Sequence, residues 1–263
     1  MLTQKPVEDI CNVCQQPGHT LEACAYTPYI RSLQKLMMSF CLPVWFRNES
    51  GDRAKGSMTI VDSGEMLLGI TAGHVADRIL ECCDDRPGRL CQIGSVDLPR
   101  DSFIARHKDL DLATFELSPS RLERSGRFAH KVSRWPPAPP SLGDFVLFGG
   151  YPGQYRKELV AQAKFEADFS SLGAPVTDVS HRNFSMEIPL SNSFSVSEKL
   201  MPPHVDLAGI SGGGVYRLIE KIVGDSVEGS LELAGIIYFG SPGFEVVSAH
   251  DLSSLNPTGE FRT

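Results

Sequence analysis

The run Trp135-Pro136-Pro137-Ala138-Pro139-Pro140 constrains the fold of this chain more than any other stretch. Proline has no backbone N–H to give to a sheet ladder, and inside a helix its ring clashes with the preceding turn. Consecutive prolines favour an extended polyproline geometry instead. The run therefore splits a β-rich region into two parts and reads as the connection between them. On either side, apolar runs are short and bounded by Gly, Pro, Ser and Asn. With 24 Gly and 18 Pro among 263 residues, short strands joined by turns fit better than a helical bundle. The length allows one large all-β domain or two small ones, with a substantial core.

Before the proline run, residues 41–46 read as a strand, and 56–61 with 66–71 as a hairpin about Ser63-Gly64. A short helix is expected over 75–80, with His74 at its start. Beyond the prolines, strands are expected at 145–148, 158–165, 184–189, 214–218, 231–239 and 244–248, then a disordered tail over 256–263. Near the N-terminus, Thr27 reads as a helix cap with Pro28 at the first helical position. Ile30, Leu33, Leu36 and Met37 recur at helical spacing, so a linking helix over 27–40 should pack on the main domain.

A net charge of −7 argues against a general polyanion binder, which needs clustered Lys and Arg. The first residues hold no signal-type apolar stretch, and no run of about 18 apolar residues could span a membrane. A cytoplasmic protein without membrane contact is expected. Seven cysteines in that setting suggest reduced thiols or metal ligands rather than a disulfide scaffold.

Gly209-Ile210-Ser211-Gly212-Gly213 carries the chemistry. A serine nucleophile must stand on a tight turn whose N–H groups can hold an oxyanion, and glycines let the substrate carbonyl come close. Two upstream segments add weight. Ile70-Thr71-Ala72-Gly73-His74-Val75 ends an apolar run on a histidine, and Asp111-Leu112-Ala113-Thr114-Phe115-Glu116-Leu117 starts a strand-like run on an aspartate. The order is His, Asp, Ser, one of the known orders of a catalytic triad. Asp109 is a rival two residues earlier, on the same side of a strand; it reads better as loop, because the apolar run starts directly after Asp111.

These segments, with Leu142-Gly143-Asp144-Phe145-Val146-Leu147-Phe148-Gly149-Gly150-Tyr151-Pro152-Gly153, resemble the trypsin-like, chymotrypsin-fold serine peptidases, especially the compact HtrA-related kind. The resemblance covers about 41–255. It implies an all-β fold of two antiparallel six-stranded barrels, over about 41–134 and 141–255. It also implies a serine endopeptidase in which Ser211 attacks, His74 moves the proton and Asp111 orients the histidine. The N–H groups of Gly209 and Ser211 would form the oxyanion hole, and the partner would be a protein or peptide substrate. Ile210 and Val75 depart from the secreted digestive enzymes, which carry an aspartate and a disulfide cysteine there. Activation by a new N-terminus is thereby excluded. The primary pocket should lie near Val205, Asp206 and 236–240; Val205 at its floor favours small or medium apolar residues, whereas Asp206, one residue on, would favour Arg or Lys there.

Other chemistries fit less well. Gly-x-Ser-x-Gly is also the nucleophile elbow of α/β-hydrolases, but Gly212-Gly213-Gly214-Val215-Tyr216 is a poor helix start and only His250 follows. A phosphate-cradling loop would need a Lys-Ser/Thr pair after its glycines. The competing class is a protease-like module that binds peptide or single-stranded nucleic acid without cleaving.

Residues 1–26 hold Cys11, Cys14, His19 and Cys24, the spacing of a zinc knuckle, with Gly18 before the histidine. Three thiolates and an imidazole can close a tetrahedral shell about one structural Zn2+. Asn12 and Thr20 replace the base-stacking residues of nucleic-acid-binding knuckles, and Glu8, Asp9 and Glu22 add negative charge. Docking of a regulatory protein partner is therefore preferred to nucleic acid. Cys41, Cys82, Cys83 and Cys91 lack this regularity and read as structural thiols.

Overall fold

A computed structural model of the chain describes residues 5–6, 26–47, 53–82, 90–94, 100–153, 156–159, 164–188, 207–223, 226–241 and 246–262. The element order is β1 (Lys5–Pro6), α1 (Tyr26–Ser39), β2 (Cys41–Arg47), β3 (Arg53–Asp62), β4 (Leu67–Ala72), α2 (Gly73–Cys82), β5 (Leu90–Ile93), β6 (Phe103–His107), β7 (Leu112–Glu116), α3 (Pro119–Ser125) and β8 (His130–Lys131). After the proline run come β9 (Phe145–Gly150), β10 (Arg156–Leu159), β11 (Lys164–Ala167), β12 (Ser170–Ser180), β13 (Asn183–Glu187), β14 (Gly214–Val223), β15 (Ser226–Ser241) and β16 (Val246–His250). No helix among the described residues is long and apolar enough to cross a membrane.

The second half is a closed barrel. Strands β9, β12, β13, β16, β15 and β14 follow one another, and β14 pairs back onto β9. The first half has the order β5-β2-β3-β4-β7-β6, antiparallel throughout, with β8 beside β3 in parallel. Two closed barrels were expected; among the described residues the first remains an open sheet ending in β5 and β6. Gly94 gives a physical reason. Its φ of 59° turns the chain out of line after the short β5, and its N–H goes to the Pro43 carbonyl at 2.7 Å.

Two further expectations are corrected. The single strand over 158–165 is replaced by the β10–β11 hairpin, in which Arg156 faces Ala167. The long β12 was unforeseen because Gly173 and Pro175 interrupt its pattern. Pro175 sits where β12 stops pairing with β9 and takes up β13, so its missing N–H interrupts neither ladder. The tail expected to be disordered from Asn256 packs on the first sheet. Ser63 Oγ donates to the Pro257 carbonyl and Thr114 Oγ1 to the Gly259 carbonyl, each at 2.6 Å. The Phe261 ring meets that of His107 at 5.4 Å.

Helix α1 begins at Tyr26, so Thr27 lies inside it and Pro28 in its first turn, where N–H groups lack helical partners. Tyr29, Leu33 and Met37, four residues apart, are buried. They join a core between the halves that includes Ile70, Leu147, Tyr151, Tyr216, Ile236 and Leu255. His130 packs edge-on against Phe40 and Tyr216 in this region, and its Nε2 accepts the Leu233 N–H at 3.3 Å. Burial holds its pKa down at about 4. Cys41 is a free buried thiol, pushed up to about 12 by the same effect.

Candidate active site

His74 is the second residue of α2, directly after β4 enters the site. Asp111 closes the turn between β6 and β7 with φ at 45°, a left-handed conformation that aspartate adopts more readily than most residues. From there its carboxylate grips the histidine twice. Oδ2 lies 2.6 Å from His74 Nδ1, and Oδ1 accepts the His74 backbone N–H at 2.8 Å. The Asp111 carbonyl also accepts the Gly73 N–H at 2.6 Å. A carboxylate on Nδ1 assigns the ring proton to that nitrogen and leaves Nε2 as an acceptor. The imidazole is 54% exposed, so it can reach a bound substrate. Asp109 is exposed in the turn, and no bond between it and His74 is recorded.

The Ser211 turn belongs to the second barrel but is clasped by the first sheet. Ser57 N–H donates to the Ser211 carbonyl at 2.8 Å, Ser57 Oγ to the Gly209 carbonyl at 2.9 Å, and Thr59 Oγ1 to the Gly212 carbonyl at 2.9 Å. Thr71, three residues before His74, donates to the Ser57 carbonyl at 2.6 Å. Gly212 has φ of 89°, and a Cβ there would drive into the Ser57 carbonyl and Thr71 Oγ1. Only glycine permits the two halves to come this close. Ile210 N–H, Gly212 N–H and Gly213 N–H all find backbone acceptors. Among the described residues, no acceptor is recorded for the N–H groups of Gly209 and Ser211.

Ser211 Oγ donates to the Tyr238 carbonyl at 3.4 Å. The Tyr238 ring stacks on His250 at 4.0 Å, and His250 Nδ1 donates to the Arg182 carbonyl, 3.1 Å away. Burial lowers the His250 pKa, against the upward pull of that carbonyl and of Asp111 and Asp251, while His107 pushes it down. Ser57, Thr59 and His250 were missed in the sequence, because each reaches the site through a contact distant along the chain; Thr71 lay in the histidine segment and Tyr238 in the stretch expected at the pocket, but neither contact was foreseen. Ile236 and Ile237 are buried and Phe239 is half exposed beside Tyr238. Val205, Asp206 and the proposed zinc ligands Cys11, Cys14, His19 and Cys24 lie outside the described residues. Among those described, no group of three or more His, Cys, Asp or Glu is placed to hold a metal.

No family model matches the chain, and no curated protein matches it. Its structure is similar to that of a serine endoprotease from Yersinia pestis, at 14% identity and a TM-score of 0.47, over 84% of this chain and 62% of the other. The chain thus spans under two thirds of that protein. A human astrovirus serine protease is similar at 12% identity and a TM-score of 0.41, over 84% of this chain and 92% of the other. The tobacco etch virus protease is similar at 9% identity and a TM-score of 0.45, over 81% and 74%.

Proposed function

We propose that the chain is a serine endopeptidase of the chymotrypsin type, cleaving protein or peptide substrates. The observation that carries this reading is the double grip of Asp111 on His74, joined through Thr71 and Ser57 to a serine turn in which, among the described residues, two N–H groups have no acceptor. Ser211 Oγ attacks the scissile carbonyl carbon while His74 Nε2 takes its proton. The carbonyl oxygen becomes an anion held by the N–H groups of Gly209 and Ser211. His74 then gives the proton to the leaving amine, and the acyl group stays on Ser211 until water removes it by the same route. Asp111 holds the ring in the reactive tautomer and stabilises the imidazolium.

The test is labelling with a fluorophosphonate probe together with peptide cleavage. Ser211→Ala should lose both and change the free energy of unfolding by under about 1 kcal/mol. Cleavage that survives this substitution removes Ser211 from the mechanism. One observation favours the silent-module reading: the recorded bond of Ser211 Oγ goes to the Tyr238 carbonyl and not to His74. Such bonds often form only once substrate is bound. A wild-type chain that folds, binds peptide and takes no probe would establish the silent module.

Cys11, Cys14, His19 and Cys24 are proposed to hold one structural zinc, a role that suits their donor atoms; no step of hydrolysis runs through it. Cys14→Ser should release the metal in elemental analysis, while cleavage of a generic peptide should withstand chelation.

A further inference from the structure

Arg156 stands behind the Ser211 turn. As the first residue of β10, it sends its guanidinium inward between the two halves. Its Nη1 donates to the Val44 carbonyl, and its Nη2 donates at 2.6 Å to the carbonyls of Gly56 and of Tyr151. The Gly209 carbonyl lies 3.5 Å from the same Nη2. One side chain thus gathers β2, β3, the segment after β9 and the turn that carries the nucleophile. Among the described residues no carboxylate pairs with it. Burial lowers its pKa to about 10, which still leaves it charged at neutral pH. A planar fork of donors suits such a cluster of carbonyls, where an ammonium would not reach them all.

Both peptide units of Gly209 are pinned. The Ala208 carbonyl accepts the Gly153 N–H at 2.7 Å, and the Gly153 carbonyl accepts Lys55 Nζ at 2.7 Å. The Gly209 carbonyl takes Ser57 Oγ at 2.9 Å, with the Arg156 guanidinium 3.5 Å away. In a trans peptide the C=O and N–H point in opposite directions. With the Ala208 carbonyl held on Gly153, the Gly209 N–H must point away from that segment, on the side where no acceptor is recorded. Glycine at φ 100° has little steric resistance to rotation, so the hydrogen bonds must supply the rigidity.

We propose that Arg156 is a positioning residue for the oxyanion site: by holding the Tyr151 carbonyl it fixes the segment whose Gly153 N–H grips the Ala208 carbonyl, so that the Gly209 N–H of that peptide stays turned toward the reacting carbonyl. The proposal rests on the peptidase reading of Ser211. If the Gly209 peptide were free to rotate, the anion would lose one donor in a fraction of molecules. Loss of one oxyanion donor lowers turnover by roughly 10²–10³. Because the interaction grows only as charge develops, the loss belongs in kcat and not in KM.

The experiment uses the full chain with Arg156→Gln and Arg156→Lys. The glutamine variant should lose about 10²-fold in kcat with little change in KM, and the lysine variant about tenfold, since it keeps the charge but not the fork. Affinity for a peptide boronate, which forms a tetrahedral adduct on the serine, should fall in step with kcat/KM. Affinity for a product peptide should stay constant. Should the glutamine variant not fold, the lysine variant decides alone. A kcat within twofold of wild type, or a loss carried by KM, would overturn the proposal. The 15N-labelled chain gives a readout independent of hydrolysis: the Gly209 amide resonance should move in Arg156→Lys while that of Gly64 stays. An inactive wild type sinks the peptidase reading, whereas an unmoved Gly209 resonance sinks the lock.

Discussion

The two halves of the molecule hold their shape by different means. The second barrel closes on itself through its own strands, with β14 returning to β9 and β15 meeting β16. The first sheet is completed by parts that are not its own strands. The C-terminal segment is fastened to it by Ser63 and Thr114, and Gly259 sits over Leu68 and Ile104. Yet this half supplies the His74–Asp111 pair, and it also clasps the Ser211 turn of its neighbour through Ser57 and Thr59. The less self-sufficient half is therefore the one that assembles the site. Site and stability should respond differently to changes in each half.

The largest effect should come from the pair itself. Asp111→Asn is expected to lower kcat by roughly 10⁴, because the histidine loses the acceptor that fixes its tautomer. Asp109→Asn should leave kcat nearly unchanged; the reverse pattern would break the assignment of the grip to Asp111. Next is the contact between the halves. Gly212→Ala should cost about 4 kcal/mol in chemical denaturation, combining a left-handed backbone with a clash against the Ser57 carbonyl. A cost under about 1 kcal/mol would mean that the close approach is not needed.

Acid should act through His130, which bridges the halves. Its pKa is about 4 in the folded chain against an ordinary 6.5, so the unfolded chain binds the proton first as pH falls. Stability should be fully present above about 6.5 and decline as pH drops toward 4, by on the order of 3 kcal/mol from this group. Denaturation curves at stepped pH should show that limb flattened in His130→Gln. The smallest contrast sets matched hydroxyl deletions against each other. Thr114→Val leaves the buried Gly259 carbonyl without its donor and should cost about 1–2 kcal/mol. Ser248→Ala, which removes the 2.9 Å contact with Ser185 on the closed barrel, should cost less than about 1 kcal/mol. Equal costs would remove the distinction between the halves.

What the sequence made legible follows the range of the interactions involved. Strands with uninterrupted apolar patterns, such as β4, β7 and β9, stand where their residues predict, and no strand crosses the proline run. Strand β12 was illegible because Pro175 marks a change of partner, and a partner is not a local property. The C-terminal segment looked disordered because its few apolar residues find their contacts on β4, β6 and β7. At the site, Gly209, Ser211 and His74 could be singled out by neighbours a few residues away. Ser57 and Arg156 have no such local mark, since their partners lie in other parts of the fold. Among the described residues the openness of the first sheet also went unseen, as the turn at Gly94 has no local mark in the apolar pattern.

The clasp between the halves orders events in time. Ser57 and Gly209 are 152 positions apart, and Thr59 and Gly212 are 153. Contacts so distant along the chain form late, after the loop between them has closed. A growing polypeptide carries its histidine and aspartate out of the ribosome long before its serine. Even then the turn lacks its outer support until β3 docks on it. On the peptidase reading, hydrolytic competence would be the last property acquired during synthesis, and a half-made chain would have no means of cutting itself or its neighbours.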